Sequence, residues 1–401
     1  MTPDEAGPLI YVIAGEPSGD ALGGRLMQAL KERTGGKVRF AGVGGEQMAA
    51  EGIESLVPLR ELAVMGIIEV LPKARGIFRR VDQTVAEIRR LRPQAVVTID
   101  SSGFTWRIAQ RLREAGERLL LIHYVAPMVW AWRAGRARRM ARWYDHLMTL
   151  LPFEPPYFTA VGLSCTYVGH PVVESGANRG DGPGFRARHD IGPDVTLVTV
   201  LPGSRGGEVR RHLPIFREAI GILRERYPNL RVAIPTVETV AEQIAAATVD
   251  WPAPVTILRG QREKYDAFAA SNAAIAASGT VALELAMARL PAIVAYRLNA
   301  LSFFLAKRLV KVRYVNLINL VVDQPVVPEL LQSDANPARI ASEIAKLLDD
   351  PAARERQAAL SHTGLVALGL GDISPGLRAA DEVLRLIAIR DPGLVAGTVK
   401  N

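Results

Sequence analysis

The chain has 401 residues, which predicts two domains of ordinary size. Hydrophobic residues make up 49% of it, so each half can bury a core, and the scattered glycines and prolines exclude a low-complexity chain. The net charge of +8 favours phosphorylated substrates, anionic lipid or nucleic acid as partners without choosing among them. The single cysteine, Cys165, excludes an internal disulfide framework, and no run of about 20 apolar residues predicts a transmembrane helix. We therefore expect a cytoplasmic protein.

The first half predicts strands that alternate with helices. Apolar, β-branched runs predict strands at residues 9–14, 38–43, 95–99, 119–125 and 146–150. After the first of them, Leu22, Leu26 and Leu30 recur at helical spacing. Because strands separated by helices are typical of βαβ units, we expect a parallel sheet.

The second half predicts another sheet of the same kind. Residues 174–186 are rich in Gly, Asn and Asp, interrupt the pattern and predict a linker. Strand-like runs then recur at residues 195–201, 230–234, 255–258, 273–277 and 292–295. The predicted class is α/β, with two Rossmann-like doubly wound domains, 1–173 and 187–375. A C-terminal helix and tail, 376–401, can pack on either half, including back on the first. Since open parallel sheets bind ligands beyond the carboxyl ends of their strands, we expect the two domains to face a common cleft.

The turn after the first strand reads GEPSGD, from Gly15 to Asp20. Its glycines permit close ligand approach, and Ser18 can cap the next helix, whose free amides favour an anion or a sugar hydroxyl. A plain capped turn explains these residues except Glu16, whose carboxylate has no structural need to be there. Glu16 therefore favours a ligand site at this turn.

A carboxylate, Asp100, ends the strand AVVTID. At the carboxyl end of a strand it faces the ligand side of the sheet, where it can act as a general base toward an acceptor hydroxyl. Capping of the helix that follows Ser101 and Ser102 is the structural alternative, and the residues leave both open.

The turn LPGSRGGE is the strongest local signal of the second half. It places Gly203, Ser204 and Arg205 at a helix start, where backbone amides and a forked guanidinium suit a diphosphate. It is not a P-loop, because the GK[ST] ending is missing, and a simple connecting turn is the alternative.

A second turn of this type, ASGTVALE, follows a later strand. Ser278, Gly279 and Thr280 supply small donors at the helix start, and Glu284 lies one turn into the helix, where it can accept from both ribose hydroxyls of a nucleotide. Two phosphate-type turns in one half favour a nucleotide diphosphate over a lone phosphate.

Metal ligands are not grouped in the sequence. The six histidines are dispersed, and no HExxH or DxD-like cluster predicts a metal site. His123 and His170 stand at predicted strand ends, where a hydrogen-bonded structural role is favoured over a catalytic one.

An apolar segment beside dense positive charge predicts contact with an anionic membrane surface. The segment LAVMGIIEVL (62–71) precedes residues 73–92, which hold seven Lys/Arg and two acids, and residues 133–142 hold five arginines and no acid. The residues expected at the lipid are Val64, Met65, Ile67, Ile68, Val70 and Leu71, with Arg75, Arg79 and Arg80 at the headgroups. A buried helix with a solvated charged face is the alternative, and the lack of interleaved aromatics disfavours nucleic acid.

Long motifs in a fixed order run from about residue 9 to about residue 390. They are AGEPSGD (14–20), ELAVMGIIEVL (61–71), HYVAPMVWAWR (123–133), LPFE (151–154), GHP (169–171), LPGSRGGEV (201–209), ASGTVALE (277–284), LAKRLVK (305–311) and YVNLIN (314–319). This set resembles the lipid-A-disaccharide synthases, inverting glycosyltransferases of the two-lobed GT-B architecture.

The resemblance implies a reaction and a location. The family transfers 2,3-diacylglucosamine from UDP-2,3-diacylglucosamine to 2,3-diacylglucosamine 1-phosphate, which forms the β-1,6-linked lipid A disaccharide 1-phosphate and UDP. The enzyme is peripheral to the cytoplasmic face of the inner membrane and needs no metal or other cofactor. By position in the motifs, the implied catalytic residues are Asp100 as the base, Glu16, Arg205 and Asn319. The implied UDP-sugar contacts are Gly203, Ser204, Arg205, Ser278, Gly279, Thr280 and Glu284.

The chain departs from the family pattern just after the base. The usual D-x-P-D-F-N is Asp100-Ser-Ser-Gly-Phe-Thr here, so Gly103 and Thr105 replace the second Asp and the Asn. Ala126 and Met128 stand where the family has serines, and Ile318 replaces a proline. The first aspartate survives, and with it the assignment of the base.

Two alternatives to this function stay open at the level of the sequence. One is another GT-B UDP-sugar enzyme, either an epimerase or a transferase with a different acceptor, although the apolar segment 62–71 and the arginine patches disfavour it. The other is a non-enzymatic membrane or nucleic-acid binder. The sequence leaves the oligomeric state open.

Overall fold

The computed structural model describes residues 7–62, 67–277, 279–299 and 312–392, and the side chains of Arg60 and of residues 67–75 fall outside that description. The chain divides into two compact units. The first unit is Met1–Pro171 with Asp372–Asn401, and the second is Val172–Gly371.

Strands and helices alternate along most of the described chain. The strands are β1 (Leu9–Ala14), β2 (Arg39–Val43), β3 (Ala95–Ile99), β4 (Leu120–Tyr124), β5 (His146–Thr149), β6 (Ser164–Tyr167), β7 (Leu197–Leu201), β8 (Arg231–Thr236), β9 (Val255–Arg259), β10 (Ala273–Ala276), β11 (Ala292–Tyr296) and β12 (Glu329–Leu331). The helices are α1 (Pro17–Thr34), α2 (Glu46–Ala50), α3 (Ile67–Leu91), α4 (Ser102–Glu114), α5 (Gly135–Met140), α6 (Pro155–Thr159), α7 (Gly182–Arg188), α8 (Gly206–Arg226), α9 (Glu238–Thr248), α10 (Gln261–Ala270), α11 (Val281–Met287), α12 (Leu317–Val322), α13 (Pro337–Asp349), α14 (Pro351–Ala367) and α15 (Pro375–Arg390).

The first unit is built on a six-stranded parallel sheet in the order β2-β1-β3-β4-β5-β6. Successive residues of a strand face opposite sides of the sheet. In β1, Ile10, Val12 and Ala14 join the hydrophobic cluster on one face, while Tyr11 and Ile13 join the cluster on the other. Both faces are therefore buried, which explains why β1 reads as one continuous apolar run.

The second unit has a six-stranded parallel sheet in the order β12-β11-β10-β7-β8-β9. Val209 of α8 and Ile340 of α13 belong to the cluster on one face, and Phe185 of α7 and Ala267 of α10 belong to the cluster on the other. The two parallel sheets with helical layers confirm the predicted α/β class and its two Rossmann-like halves.

Residues 174–186, for which composition predicts a linker, lie in the second unit. A Cβ atom on Gly180 would stand 2.0 Å from the carbonyl oxygen of Tyr265, so only glycine permits this contact with α10. The backbone N–H of Asp181 donates to Asp266 Oδ1 at 2.7 Å, and the Asp181 carboxylate accepts from Gly184 at the start of α7 at 2.9 Å. Gly180 therefore serves close packing, and Asp181 serves helix capping.

The last helix, α15, lies in the first unit and packs on α1. Arg33 of α1 pairs with Asp381 at 2.7 Å, and Ala380 and Val383 are fully buried in the cluster that contains β1. The chain therefore returns to its first unit after the second is complete.

Candidate active site

Two turns of the first unit touch at the carboxyl edge of its sheet. Ala14 of β1 stands opposite Ile99 of β3, so the residues that follow them, Gly15 and Asp100, begin neighbouring turns. A Cβ atom on Gly15 would lie 2.3 Å from Ser101 Oγ, which makes glycine necessary there. The turn that carries Glu16 and the turn that carries Asp100 are thus brought together.

Glu16 is the N-cap residue of α1, and its carbonyl oxygen accepts from the Asp20 N–H at 2.9 Å. The side chain is partly exposed and makes no side-chain cap. The predicted cap, Ser18, is wrong: α1 begins at Pro17, two residues earlier than that cap requires, so Ser18 lies in the first turn, where it is exposed.

The backbone around Asp100 is held in an uncommon conformation. Asp100 and Ser101 have φ values of 44° and 48°, in the left-handed region that non-glycine residues seldom adopt. Thr105 Oγ1 donates to the Asp100 carbonyl oxygen at 2.6 Å, and the Ser101 carbonyl accepts from the Phe104 N–H at 2.9 Å. The turn is therefore braced by α4, whose N-cap is Ser101.

The environment of the Asp100 carboxyl suits a general base. Burial raises the pKa of Asp100, while the backbone N–H of Ser101 and the charge of Arg136 oppose that rise. A carboxylate with a raised pKa holds a transferred proton more strongly than a solvated one does. The side chain remains only partly buried, so a substrate hydroxyl can reach it.

Arg136 of α5 stands beside Asp100, a placement that the sequence did not indicate. Its Nη2 donates to Ser102 Oγ at 2.9 Å, and its guanidinium carbon lies 4.5 Å from the centre of the Trp106 ring. Burial and the charge of Arg133 lower the pKa of Arg136 from that of a solvated guanidinium, and the charge of Asp100 opposes the shift. The five arginines of residues 133–142 predicted only a charged patch for an anionic surface.

A buried network lies beneath this edge of the sheet. His123 Nδ1 is 2.7 Å from Thr98 Oγ1, and the imidazole is 4.9 Å from the Tyr144 ring. Burial lowers the pKa of His123 to about 3, so the ring is neutral near pH 7. Tyr144 Oη in turn donates to the Thr105 carbonyl oxygen at 3.3 Å, which links the network to the brace of the Asp100 turn.

A buried carboxyl group links two of the sequence motifs. Trp130 Nε1 donates to Glu154 Oε1 at 3.1 Å, and the Leu151 N–H donates to Glu154 Oε2 at 3.1 Å. Burial raises the pKa of Glu154 to about 7, although both hydrogen bonds favour the ionised form. No sequence pattern predicted that this glutamate is buried.

In the turn after β7, the carboxylate of Glu208 lies against Gly203. Gly203 has φ 118°, and a Cβ atom there would lie 2.6 Å from Glu208 Oε2. Arg205 is the N-cap residue of α8, with an exposed side chain whose Nη1 is 3.4 Å from Glu208 Oε1. Ser204 precedes it and is also exposed. The start of α8 and the Arg205 guanidinium thus stand together at the carboxyl end of β7.

A second buried histidine ties this turn to the one after β11. His212 Nδ1 is 3.0 Å from the Pro202 carbonyl oxygen, and His212 Nε2 accepts from the Arg297 N–H at 3.1 Å. These partners require the tautomer with the proton on Nδ1. Burial lowers the pKa of His212, which favours this neutral form.

The turn after β10 lies next to the turn after β7, because Ala276 of β10 stands opposite Leu201 of β7. Gly279 approaches the later YVNLIN motif so closely that a Cβ atom would be 3.0 Å from the Val315 carbonyl oxygen. Thr280 precedes α11 as its N-cap residue, and Ser278 lies outside the described residues. The structure thus places the two predicted phosphate-type turns side by side within the second unit.

Glu284 is held by two residues of α10. Lys264 Nζ is 2.6 Å from Glu284 Oε2, and Tyr265 Oη donates to Glu284 Oε1 at 3.1 Å. A carboxylate has about four lone-pair sites, so these two contacts leave acceptor capacity for a ligand. Lys264 and Tyr265 therefore hold the Glu284 carboxylate in place and leave acceptor sites on it for a ligand.

Asn319 is buried, with 1% of its surface exposed, inside the second unit. Its Oδ1 accepts from the Val327 N–H, and its Nδ2 donates to the Val327 carbonyl oxygen and to Glu329 Oε1, each at 2.8 Å. Glu329 also accepts from the backbone N–H groups of Val315 and Asn316 at 2.9 Å. The Asn319 side chain therefore supports the segment beside Gly279. The resemblance instead implies a catalytic contact for this residue.

The predicted membrane-contact residues are only partly within the described structure. Val64 and Met65 lie outside it, whereas Ile67, Ile68, Val70, Leu71 and Arg75 are on α3 with side chains outside the description. Arg79 is exposed, but Arg80 donates to Glu61 Oε2 at 2.9 Å and to Gln83 Oε1 at 2.9 Å, which occupies much of its guanidinium. Nearby, Phe78 is 40% exposed.

No helix in the described part of the chain is long and apolar enough to cross a membrane. Within the same residues, no group of three or more His, Cys, Asp or Glu side chains is placed to hold a metal ion.

Comparisons with known proteins give the same family over most of the chain. A family model described as lipid-A-disaccharide synthetase matches residues 10–369. Lipid-A-disaccharide synthase of Rhodospirillum centenum is 56% identical over 384 residues, which cover 95% of this chain and 95% of that protein. The enzyme of the same name from Paramagnetospirillum magneticum is 55% identical over 381 residues, 94% of this chain and 97% of that protein.

Solved structures of low sequence identity share the fold. The MnaA–UDP co-structure from S. aureus superposes with a TM-score of 0.65 at 12% identity and covers 96% of both chains. MurG of Acinetobacter baumannii superposes with a TM-score of 0.55 at 13% identity, over 95% of this chain and 99% of that one. At such identities the likeness establishes the architecture and leaves the chemistry to the residues.

Proposed function

The chain belongs to the lipid-A-disaccharide synthase family, and we propose that it transfers 2,3-diacylglucosamine from UDP-2,3-diacylglucosamine to 2,3-diacylglucosamine 1-phosphate. The products are the β-1,6 lipid A disaccharide 1-phosphate and UDP. One observation of the structure carries the proposal: the partly buried Asp100, with its raised pKa, at the carboxyl edge of the first sheet.

Asp100 is assigned as the general base of an inverting displacement. Its carboxylate removes the proton from the acceptor 6-hydroxyl as the oxygen attacks the anomeric carbon of the donor. The bond from that carbon to the UDP oxygen breaks on the opposite face, and its electron pair leaves with UDP. Glu16, on the turn that touches Ser101, is assigned to hydrogen-bond a sugar hydroxyl.

The adjacent glycine turns of the second unit are assigned to UDP. Gly203, Ser204 and Arg205 stand at the start of α8, where amides and the guanidinium stabilise the negative charge that grows on the departing diphosphate. Ser278, Gly279 and Thr280 are assigned to the same diphosphate from the next strand. Glu284, held by Lys264 and Tyr265, is assigned to the ribose hydroxyls.

Asn319 is assigned a supporting role. Its three hydrogen bonds hold the Val327 backbone and Glu329, which in turn holds the backbone of Val315 beside Gly279. It thus acts on the donor turn through the chain and has no amide hydrogen left for substrate.

We also assign a peripheral membrane contact to the start of α3. Both substrates carry acyl chains, and Phe78 and Arg79 on the described part of this helix expose an apolar and a cationic side chain. Replacing Ile67, Ile68 and Val70 together with Ser should shift the protein from the membrane to the soluble fraction while UDP still raises its melting temperature. Ile389→Ser, at an exposed position of α15, is the control. Unchanged partitioning of the triple variant would contradict the assignment.

Purified protein, acylated UDP-glucosamine and the acylated 1-phosphate acceptor test the reaction. The expected product is a β-linked disaccharide 1-phosphate in amounts equal to the UDP released. Omission of the acceptor separates the alternatives, since an epimerase or a hydrolase would still convert the donor. If UDP leaves the melting temperature of the protein unchanged, that result would contradict the proposed nucleotide site.

A further inference from the structure

The loop after β4 brings arginines to the edge of the sheet where Asp100 lies. β4 is the neighbour of β3, with Tyr124 opposite Ile99, so both strands deliver their following residues to one edge. Arg136, in the short helix α5, donates to Ser102 Oγ at 2.9 Å. The cation is thereby held against the turn that begins at Asp100, although 36 positions separate the two residues along the chain.

Tryptophan rings orient two guanidinium groups of this loop. Arg136 lies 4.5 Å from the Trp106 ring centre, and Arg133 lies 4.4 Å from the Trp132 ring centre. Arg133 has φ 54°, an uncommon conformation for arginine that the loop maintains. Stacking on an aromatic face restricts the rotation of a guanidinium and leaves its N–H edge open to an acceptor.

The charge of Asp100 acts on Arg136, but none of these arginines forms a direct ion pair with a carboxylate in the described part of the chain. Arg133, Arg136 and Arg139 form no ion pair there, whereas Arg113, on the neighbouring helix α4, pairs with Asp145 at 2.7 Å. Burial and the charges of Arg133 and Arg139 lower the pKa of Arg136, so the three positive charges act on one another. A half-buried cation that stands among like charges is stabilised when a further anion binds.

We infer that Arg136, together with Arg133, binds the phosphomonoester of the acceptor sugar. The inference rests on the proposed function, because it takes the acceptor to be a 1-phosphate. In that acceptor the phosphate is on C1 and the reacting hydroxyl is on C6, which is attached to C5, so the two groups flank the ring oxygen and are several bonds apart. A phosphate held by Arg136 therefore leaves the hydroxyl free to reach Asp100, and the two arginine forks suit an oxygen-rich dianion.

The phosphate selectivity of a variant tests this site. Arg136→Met keeps the apolar stem and removes the charge, while Arg118→Met removes an exposed charge just before β4, at the opposite edge of the same sheet. The rate of disaccharide formation is measured with the 1-phosphate acceptor and with the same lipid lacking the phosphate. Charged hydrogen bonds of this type predict that kcat/KM for the phosphorylated acceptor falls about 10–100-fold in Arg136→Met. The kcat/KM for the dephosphorylated acceptor should fall less, because only the effect of Arg136 on Asp100 is lost there, so the ratio of the two kcat/KM values measures the phosphate contact and should fall about tenfold or more.

Controls distinguish loss of phosphate binding from misfolding, from loss of lipid-headgroup binding and from failure of the proposed function. The UDP-induced thermal shift of Arg136→Met should equal that of the unaltered enzyme, and Arg136→Lys should recover part of the preference. An equal loss with both acceptors, together with loss of binding to phosphatidylglycerol vesicles, would assign Arg136 to headgroups and overturn the inference. An unchanged acceptor preference would overturn it while leaving the proposed function intact. If the unaltered enzyme forms no disaccharide, both fail.

Discussion

The substitution Asn319→Ala separates a supporting residue from a catalytic one. The amide of Asn319 makes three hydrogen bonds of 2.8 Å, two of them to the N–H and carbonyl groups of Val327. Val327 is 4% exposed, so the loss of the amide leaves two backbone groups buried without partners. Each orphaned group costs about 1–3 kcal/mol, which gives about 2–6 kcal/mol for the substitution.

The assay for this prediction is denaturant unfolding of the whole chain. Because the chain has two units, its transition need not be two-state, and the midpoint assigned to the second unit is the quantity to compare. The matched control is Asn336→Ala, which removes an exposed amide oxygen that caps α13 and should cost about 0.5–2 kcal/mol.

Turnover of the same variants completes the test. We expect Asn319→Ala to weaken UDP binding and to lower turnover in proportion to its loss of stability, with partial recovery when temperature is reduced. An Asn319→Ala protein that unfolds at the midpoint of the unaltered chain but has lost turnover would refute the supporting role. That result would restore the direct catalytic role implied by the motif.

Two further predictions concern the first unit. Gly15→Ala should lower turnover more than about tenfold without loss of UDP binding, because its Cβ would lie 2.3 Å from Ser101 Oγ. The control is Gly103→Ala, whose Cβ meets nothing within 4 Å and which should retain turnover. Equal rates for the two variants would contradict this prediction. Glu154→Gln should gain stability relative to the unaltered chain as the pH rises, because the folded pKa of about 7 lies above the ordinary 4.5 and makes ionisation costly in the folded state. The advantage should grow from pH 4.5 to pH 7 to about 3 kcal/mol and then level off, and a difference independent of pH in chemical denaturation would rule out this cause.

The parts of the fold that apolar runs specify could be predicted from the sequence. β1 and β3 are continuous runs because both faces of the sheet are buried, and the turns that carry Glu16 and Asp100 follow them directly. The edge strands β6, Ser164–Tyr167, and β12, Glu329–Leu331, were not predicted. They are short and include polar residues, so they lack the apolar pattern of central strands.

The composition of residues 174–186 predicts a linker, whereas in the structure Gly180 of this segment makes a close contact. Gly180 lies against the Tyr265 backbone, where any side chain would collide. Glycine is selected both by mobile linkers and by tight packing, and the sequence alone does not distinguish the two uses. The partner helix α10 had to be placed before the second use became apparent.

The site was predictable where chemistry is local and unpredictable where it depends on neighbours in space. Asp100 and Arg205 were identified because each follows a strand in a recognisable turn. Arg136 lies beside Asp100 only because β4 adjoins β3, and His212 matters only because Pro202 and Arg297 meet at its ring. No spacing in the sequence encodes these contacts.

The proposal depends most on Asp100 as the base for the acceptor hydroxyl. The direct measurement is disaccharide formation by Asp100→Asn with purified acylated UDP-glucosamine and the acylated 1-phosphate acceptor. We expect turnover to fall about 10²–10⁴-fold while the UDP-induced thermal shift and the unfolding midpoint stay as in the unaltered protein. Disaccharide formation at a rate within a few fold of the unaltered protein would contradict the mechanism.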